Sequence, residues 1–239
     1  MKKYQDKNMF IATAGGDVEH TYSLHGKDSL IEKAVNYARL KIYKMLSKTI
    51  NLNKLESIVD IGATADKLKN SSNFFEKLYP FPERITALSN QEASWLEKEY
   101  KGLKFVYGTA LDMPFSDNSF DLVFSSAVIE HVGSINNQSK FIAECCRVSK
   151  KYVFITTPNR HYPIELHTAL PLIHWLPKKI HRKILKIIGK DFFAIEENLN
   201  LLTKKEIRNL CKQNGIEKLK ILTINFLGFP SNLLLVIEK

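Results

Sequence analysis

The chain has 239 residues, 44% apolar and 25% charged, a balance that fits one α/β domain with appendages and excludes a disordered or fibrous chain. No apolar run reaches about 18 residues, so no membrane-spanning helix is expected, and Met1–Asp6 lacks the apolar core of a signal peptide. A net charge of +10 admits nucleic acid, an anionic membrane or a phosphorylated substrate as partner, or simply a lysine-rich composition.

In chain order, residues 1–27 show no clear period, and Ala14-Gly15-Gly16-Asp17 reads as a turn. A helix follows, capped by Asp28 or Ser29 and running to about Ile50, because Leu30, Ala34, Tyr37, Ala38, Ile42, Met45 and Leu46 recur at helical spacing. Then the period changes. Ser57–Gly62, Arg84–Leu88, Lys104–Tyr107, Phe120–Ser125 and Tyr152–Thr156 are short apolar, largely β-branched or aromatic runs. Helical stretches lie between them, at about Asn73–Tyr79, Gln91–Glu99 and Gln138–Val148. Strands alternating with helices predict a parallel sheet covered on both faces. A helix near Thr203–Asn214 precedes two more strands, about Leu219–Asn225 and Leu233–Glu238, whose short link with Gly228 and Pro230 permits an antiparallel pair. The expected architecture is therefore α/β: a Rossmann-like seven-stranded, mostly parallel sheet with helices on both faces and an antiparallel last strand. Residues 1–50 form an N-terminal helical cap to a domain at 51–239, with an insertion at about 157–200. Cys145, Cys146 and Cys211 form neither a disulfide framework nor a zinc spacing, so a reducing cytoplasm is the expected location.

The first strand ends in Val59-Asp60-Ile61-Gly62-Ala63-Thr64-Ala65-Asp66. A glycine there lets the backbone turn tightly against a ligand. A pyrophosphate-holding turn would need G-x-G-x-x-G, of which only the first glycine is present. Acidic Asp60 and Asp66 would repel a pyrophosphate and suit a cationic, phosphate-free ligand. Further on come Gly108-Thr109-Ala110-Leu111-Asp112-Met113-Pro114-Phe115, then Asp117-Asn118-Ser119-Phe120-Asp121, then Ser125-Ser126-Ala127-Val128-Ile129-Glu130-His131. In this order, over about residues 55–160, the chain resembles the methyltransferase-domain 11 family of class I S-adenosylmethionine-dependent methyltransferases. Within that family it looks most like bacterial enzymes linked to polysaccharide assembly.

The resemblance implies a methyltransferase with S-adenosylmethionine as cofactor. Asp60, Gly62 and Ala63 match the motif that approaches the methionine part. Thr109, Ala110 and Leu111 match the loop beside the adenine. Ser125 and Ser126 end the fourth strand, where donor and acceptor meet, with Glu130-His131 just beyond. Two positions depart from the family pattern. The acidic residue that usually ends the second strand and binds the ribose hydroxyls is absent, leaving Ser89 and Asn90 to hydrogen-bond there, and Thr109 replaces the usual Asp before Ala110.

The segment Thr157–His167 follows a strand carboxyl end and so forms a natural acceptor lid. Methyl transfer needs alignment and exclusion of water more than it needs catalytic groups. If the acceptor is a hydroxyl, a general base adds about 10²–10⁴-fold, and His131, His161 and Glu165 are the candidates. The spacing of His131, His161, His167 and His174 matches no standard metal motif, so no metal site is expected.

Residues 175–190 carry Ile180, Ile184, Ile187 and Ile188 on one helical face, with Lys178, Lys179, Arg182, Lys183, Lys186 and Lys190 around the rest. Two readings compete: a helix packed on its own domain through the isoleucines, or a basic amphipathic helix lying on an anionic membrane, which would make a cytoplasmic protein peripheral at the inner membrane face. They predict opposite burial for those isoleucines. No recognition module accompanies the basic stretch, so nucleic acid is not the expected partner. The expected function is methyl transfer to a small molecule or lipid-linked saccharide. The alternatives are a noncatalytic binding protein with the same fold, or an RNA methyltransferase.

Overall fold

The structure is a computed structural model and describes residues 30–67 and 71–239. The expected turn at 14–17 and the Asp28 or Ser29 cap lie outside those residues. Helix α1 (Leu30–Thr49) buries Ile42 and Leu46, one turn apart, which is why the apolar spacing there is helical. Strand β1 (Ile58–Ile61) lies inside a seven-stranded sheet, next to its central strand. Helix α2 (Phe74–Leu78), strand β2 (Ile85–Ser89), helix α3 (Leu96–Glu99) and strand β3 (Lys104–Tyr107) continue to one edge. Strand β4 (Phe120–Ser126), helix α4 (Ile135–Val148) and strand β5 (Ser149–Pro158) build the other side of β1. After an insertion come α7 (Lys204–Gln213), β8 (Leu219–Phe226) and β9 (Phe229–Glu238).

The sheet order is β3-β2-β1-β4-β5-β9-β8. Strands β1 to β5 pair in parallel, and β9 runs antiparallel to both β5 and β8. This is the expected Rossmann-like architecture. Alternation along each strand divides the core. Val59, Val123, Val153, Leu235 and Ile237 face α4 and α7, where Phe141, Ile142, Ile207 and Leu210 pack. Ile58, Leu122, Phe124, Phe154 and Leu234 face α1, α2 and α3, where Leu46, Phe75 and Leu96 pack. The Phe75 and Phe124 rings stack at 4.6 Å. Helix α1 is thus one of the layers covering the sheet.

Several expected boundaries move, two of them furthest. The helix read at Gln91–Glu99 forms only at Leu96–Glu99. Gln91 turns its side chain to the β1 turn, and the Glu92 carboxylate accepts the Ser94 amide at 3.1 Å, so local polar bonds displace the first helical turns. Strand β9 begins at Phe229 rather than Leu233, because β8 supplies a partner as far as Phe226.

The insertion contains a two-stranded hairpin, β6 (Ile164–Glu165) with β7 (Leu170–Pro171), then α5 (Lys178–Ile187) and α6 (Asp191–Ala194). Helix α5 stops where Gly189 adopts φ +72, with Lys190 N donating to Leu185 O and Gly189 N to Lys186 O. Leu185, Phe193, Leu199 and Leu201 give the insertion a small apolar core of its own.

Candidate active site

Strands β1, β2 and β3 run to one side of the sheet and β4 and β5 to the other, so the order reverses beside β1. In open parallel sheets the ligand crevice lies beyond the carboxyl ends at such a switch point. Here that edge is made by the residues after Ile61, Ser89, Tyr107, Ser126 and Pro158.

The turn after β1 is held by side chains from outside it. Asn73 accepts the Thr64 amide through Oδ1 and donates through Nδ2 to Thr64 O, both at 2.9 Å. Gln91 Oε1 accepts the Ala65 amide at 3.1 Å. Gly62 is exposed at φ +92, a conformation that excludes side chains, and a Cβ there would stand 2.2 Å from Val128 Cγ2. The loop after β4 therefore closes against the turn after β1. Ala127, in that loop, is held in the left-handed region at φ +58 while its amide donates to Thr156 O.

The expected cofactor residues fall into two groups. Gly62, Thr109, Ala110, Leu111 and Ser126 lie at least partly open along the crevice edge. Asp60, Ala63, Ser89 and Ser125 are buried, and each has a structural neighbour. Ser125 Oγ donates to Ile61 O at 3.0 Å, binding β4 to β1. Ser89 Oγ accepts the Gln91 amide at 3.0 Å. Asp60 lies under α1 and α2; burial pushes its carboxyl well up, Glu76 adds to the rise, and Arg39 pulls against it. Asn90 follows β2 and is half-buried. Asn73 and Gln91 were not legible in the sequence as parts of this site, since nothing local marks which side chain will reach a turn up to 27 positions away.

The expected acceptor side is assembled from residues far apart in sequence. Glu130 lies fully buried in a 3-10 turn, and its Oε2 accepts the Thr157 hydroxyl at 2.9 Å. His131 Nδ1 is 2.6 Å from Asn198 O. A carbonyl only accepts, so Nδ1 carries the proton and Nε2 is the lone-pair nitrogen of the neutral ring. Glu165 is buried in the β6–β7 hairpin, where its carboxylate accepts His167 Nδ1 at 2.6 Å and the Thr168 amide and hydroxyl at 2.7 and 2.6 Å. The rings of His131 and His167 meet edge to face at 5.0 Å.

Burial pushes the Glu130 carboxyl up to about 7, against the pull of His167. Burial also drives His131 down to about 3, with His167 adding to the fall. For Glu165 burial alone would raise the value, but the His167 ring and the bonds from His167 and Thr168 outweigh it and hold it at about 2. The same pairing outweighs burial at His167 and raises it. Of the three expected acid–base candidates, His131 and Glu165 come together with Glu130 and His167. His161 is exposed and stands outside that group.

The insertion is fastened to this edge. Asn200 N donates to Glu130 O, and Asn200 Nδ2 to Gly133 O, both at 2.7 Å. Gln138 Nε2 donates to Ile129 O and to Asn200 O. On α5, His181 and Leu185 point inward and Lys178 reaches Asn200 and Glu206. The isoleucines do not pack inward: Ile180 is 49% exposed, Ile187 74% and Ile188 46%, and Ile184 is half-buried. The reading of these isoleucines as a packed face is thereby corrected. The inward face is filled instead by His181, Leu185 and the paired Lys178 and Arg182, the latter 3.2 Å from Glu196. Trp175, 49% exposed, lies beside them, and Lys179, Lys183 and Lys186 are exposed. Among the described residues no helix is long and apolar enough to cross a membrane.

The sheet order, the switch-point crevice and the glycine turn define a class I methyltransferase fold. Solved structures share it. A SAM-dependent methyltransferase from Thermotoga maritima aligns over 88% of this chain and 92% of its own, at 17% identity and TM-score 0.56. Magnesium protoporphyrin IX methyltransferase from Synechocystis PCC 6803, with bound SAH, aligns over 96% of both chains at 12% identity and TM-score 0.56. A Burkholderia thailandensis 1,6-didemethyltoxoflavin-N1-methyltransferase, with bound 1,6-didemethyltoxoflavin and S-adenosylhomocysteine, aligns over 85% of this chain and 79% of its own, at 12% identity and TM-score 0.56. Residues 71–155 match the methyltransferase-domain family, and the expected cofactor is S-adenosylmethionine. The crevice fits that cofactor on two counts. Gly62 leaves the β1 turn open to close approach, and the neighbouring charged side chain, Asp66, is acidic, as a sulfonium favours and a pyrophosphate does not.

Proposed function

We propose that this chain transfers the methyl group of S-adenosylmethionine to a small-molecule acceptor met beyond β4 and β5. The observation that supports the reading most is that the family-matching segment contains the β4 loop that closes on Gly62. When bound, the cofactor supplies a methyl group already activated on a sulfonium. Gly62 and Ala63 give the methionine part its approach, Ser89 and Asn90 offer hydrogen bonds to the ribose, and Thr109, Ala110 and Leu111 flank the adenine. Asp60 and Ser125 set the ends of β1 and β4 from below. Ser126, hydrogen-bonded to Thr156 across β4 and β5, borders the point where donor and acceptor meet. The lid excludes water and aligns the nucleophile. An acceptor hydroxyl would release its proton toward His131 Nε2, with Glu165 acting through His167 as a positioning residue. His161, at the outer face of the lid, is suited to acceptor contact.

Calorimetry with S-adenosylhomocysteine, followed by mass spectrometry of host extracts for the gain of one methyl, tests the reading. A saturable heat and a methylated product are expected; no heat would leave a noncatalytic protein of the same fold.

A second reading, that the acceptor is a lipid-linked saccharide met at the inner face of an anionic membrane, is favoured by the outward isoleucines of α5. Apolar Trp175, Ile180, Ile187 and Ile188 beside exposed Lys179, Lys183 and Lys186 form the pattern of an interfacial helix. Each lysine near such a surface contributes about 1 kcal/mol.

A further inference from the structure

The carboxylate and imidazoles on the acceptor side converge in a way that methyl transfer alone does not require. Glu130 Oε1 is fully buried and has no hydrogen-bond partner among the described residues, although its companion Oε2 is bonded to Thr157. An orphaned buried carboxylate oxygen is costly unless something cationic meets it. His131 Nε2 stands 4.0 Å from that oxygen. One ligand atom each from Glu130, His131 and His167 can be chosen so that all lie within 4.8 Å of one another. Atoms so spaced surround a point within about 2.8 Å of each, so an inward shift of under about 1 Å brings them to the roughly 2.0–2.2 Å bonds of divalent ions to nitrogen and oxygen.

We propose that Glu130, His131 and His167 bind a divalent transition-metal ion. Beyond the spacing, three features make this a built site. First, each ring is held through one nitrogen, His131 Nδ1 by Asn198 O and His167 Nδ1 by Glu165, the outer arrangement that metal-bound histidines use. Second, Glu165 is itself fixed by the Thr168 amide and hydroxyl, so the His167 ring has little freedom to turn away. Third, two carboxylates, Glu130 and Glu165, are buried here, with His167 the foremost cationic partner of each. A divalent ion with both rings neutral brings the local charge to zero. Two imidazoles and one carboxylate select zinc, iron, cobalt or nickel over magnesium or calcium. The His131 and His167 side chains keep 19% and 14% of their surface, so the ion would retain an open position toward the crevice. An acceptor oxygen bound there would be acidified by the ion, which would replace His131 as the activating group because the Nε2 lone pair would then be a ligand; that last clause rests on the methyltransferase reading, whereas ion binding does not.

The test is titration of the untagged full chain with Co²⁺, followed by visible d–d absorption and calorimetry, with S-adenosylhomocysteine titrated into the same samples. A single ion per chain is expected. Glu130→Gln, which keeps the side-chain shape, and His167→Ala should each weaken binding by more than the roughly 10–100-fold that loss of an outer partner costs, and Glu165→Gln by about that range. Circular dichroism checks that each variant is folded. Absence of d–d bands in wild type overturns the site, as does unchanged affinity in folded Glu130→Gln and His167→Ala. Cobalt binding without S-adenosylhomocysteine heat supports the ion site and sinks the methyltransferase reading; the reverse sinks the ion site alone.

Discussion

The two halves of the crevice are built by different means. On the donor side the elements follow one another in the chain: β1, its glycine turn, β2 and the loop after β3 each contribute a short contiguous segment to one sheet edge. On the acceptor side Glu130 and His131 come from the turn after β4, Glu165 and His167 from a hairpin, and Asn198 and Asn200 from the end of the insertion. The donor side depends on backbone shape, which a strand and a glycine specify locally. The acceptor side depends on buried polar side chains that satisfy one another only once the insertion has docked.

The largest expected effect breaks the donor side. Gly62→Val should abolish S-adenosylhomocysteine binding in calorimetry and also lower the melting temperature, since the side chain must adopt φ +92 and meets Val128. Combining Gly62→Ala with Val128→Ala sharpens the point. If crowding by Val128 is the whole cause, the double variant binds the ligand normally; if the turn itself must approach the cofactor, binding stays weak.

Next comes the acceptor side. His131→Ala should lower turnover at least about tenfold, within the range a proton-handling group supplies, while cofactor affinity is unchanged. An equal loss of S-adenosylhomocysteine affinity would mean that the two halves are not separable. The contrast extends to the outer face of the insertion. Wild type should float with anionic vesicles at low salt, and Lys179→Glu/Lys183→Glu/Lys186→Glu should not, each lysine being worth about 1 kcal/mol at such a surface. Wild type that stays in the pellet at low salt removes the membrane. The smallest effect is expected at the seam between the halves. Ser126→Ala removes the hydroxyl pair with Thr156 at 2.9 Å, a net loss of about 0.5–1.5 kcal/mol by thermal melting, with cofactor affinity little changed.

The amino-acid sequence by itself determined the sheet and its covering layers. Runs such as Ile58–Ile61 and Phe120–Ser126 are mostly apolar and buried on both faces, and helices such as α1 and α4 show their buried stripe at turn spacing, because period and burial are local consequences of backbone geometry. It also marked Gly62 and the segment that matches the family. Three features became visible only in the tertiary structure. Ser125 and Asp60, which by position alone belong to the cofactor, are held by Ile61 O and by the Glu76 and Arg39 layer. The isoleucines of α5 face outward, since a helical stripe does not say on which side the domain lies. And Glu130, His131, Glu165 and His167 converge although their spacing in the chain fits no motif. Long-range packing decided all three, because a side chain's partner is fixed by where an insertion folds back, and no local period encodes that distance.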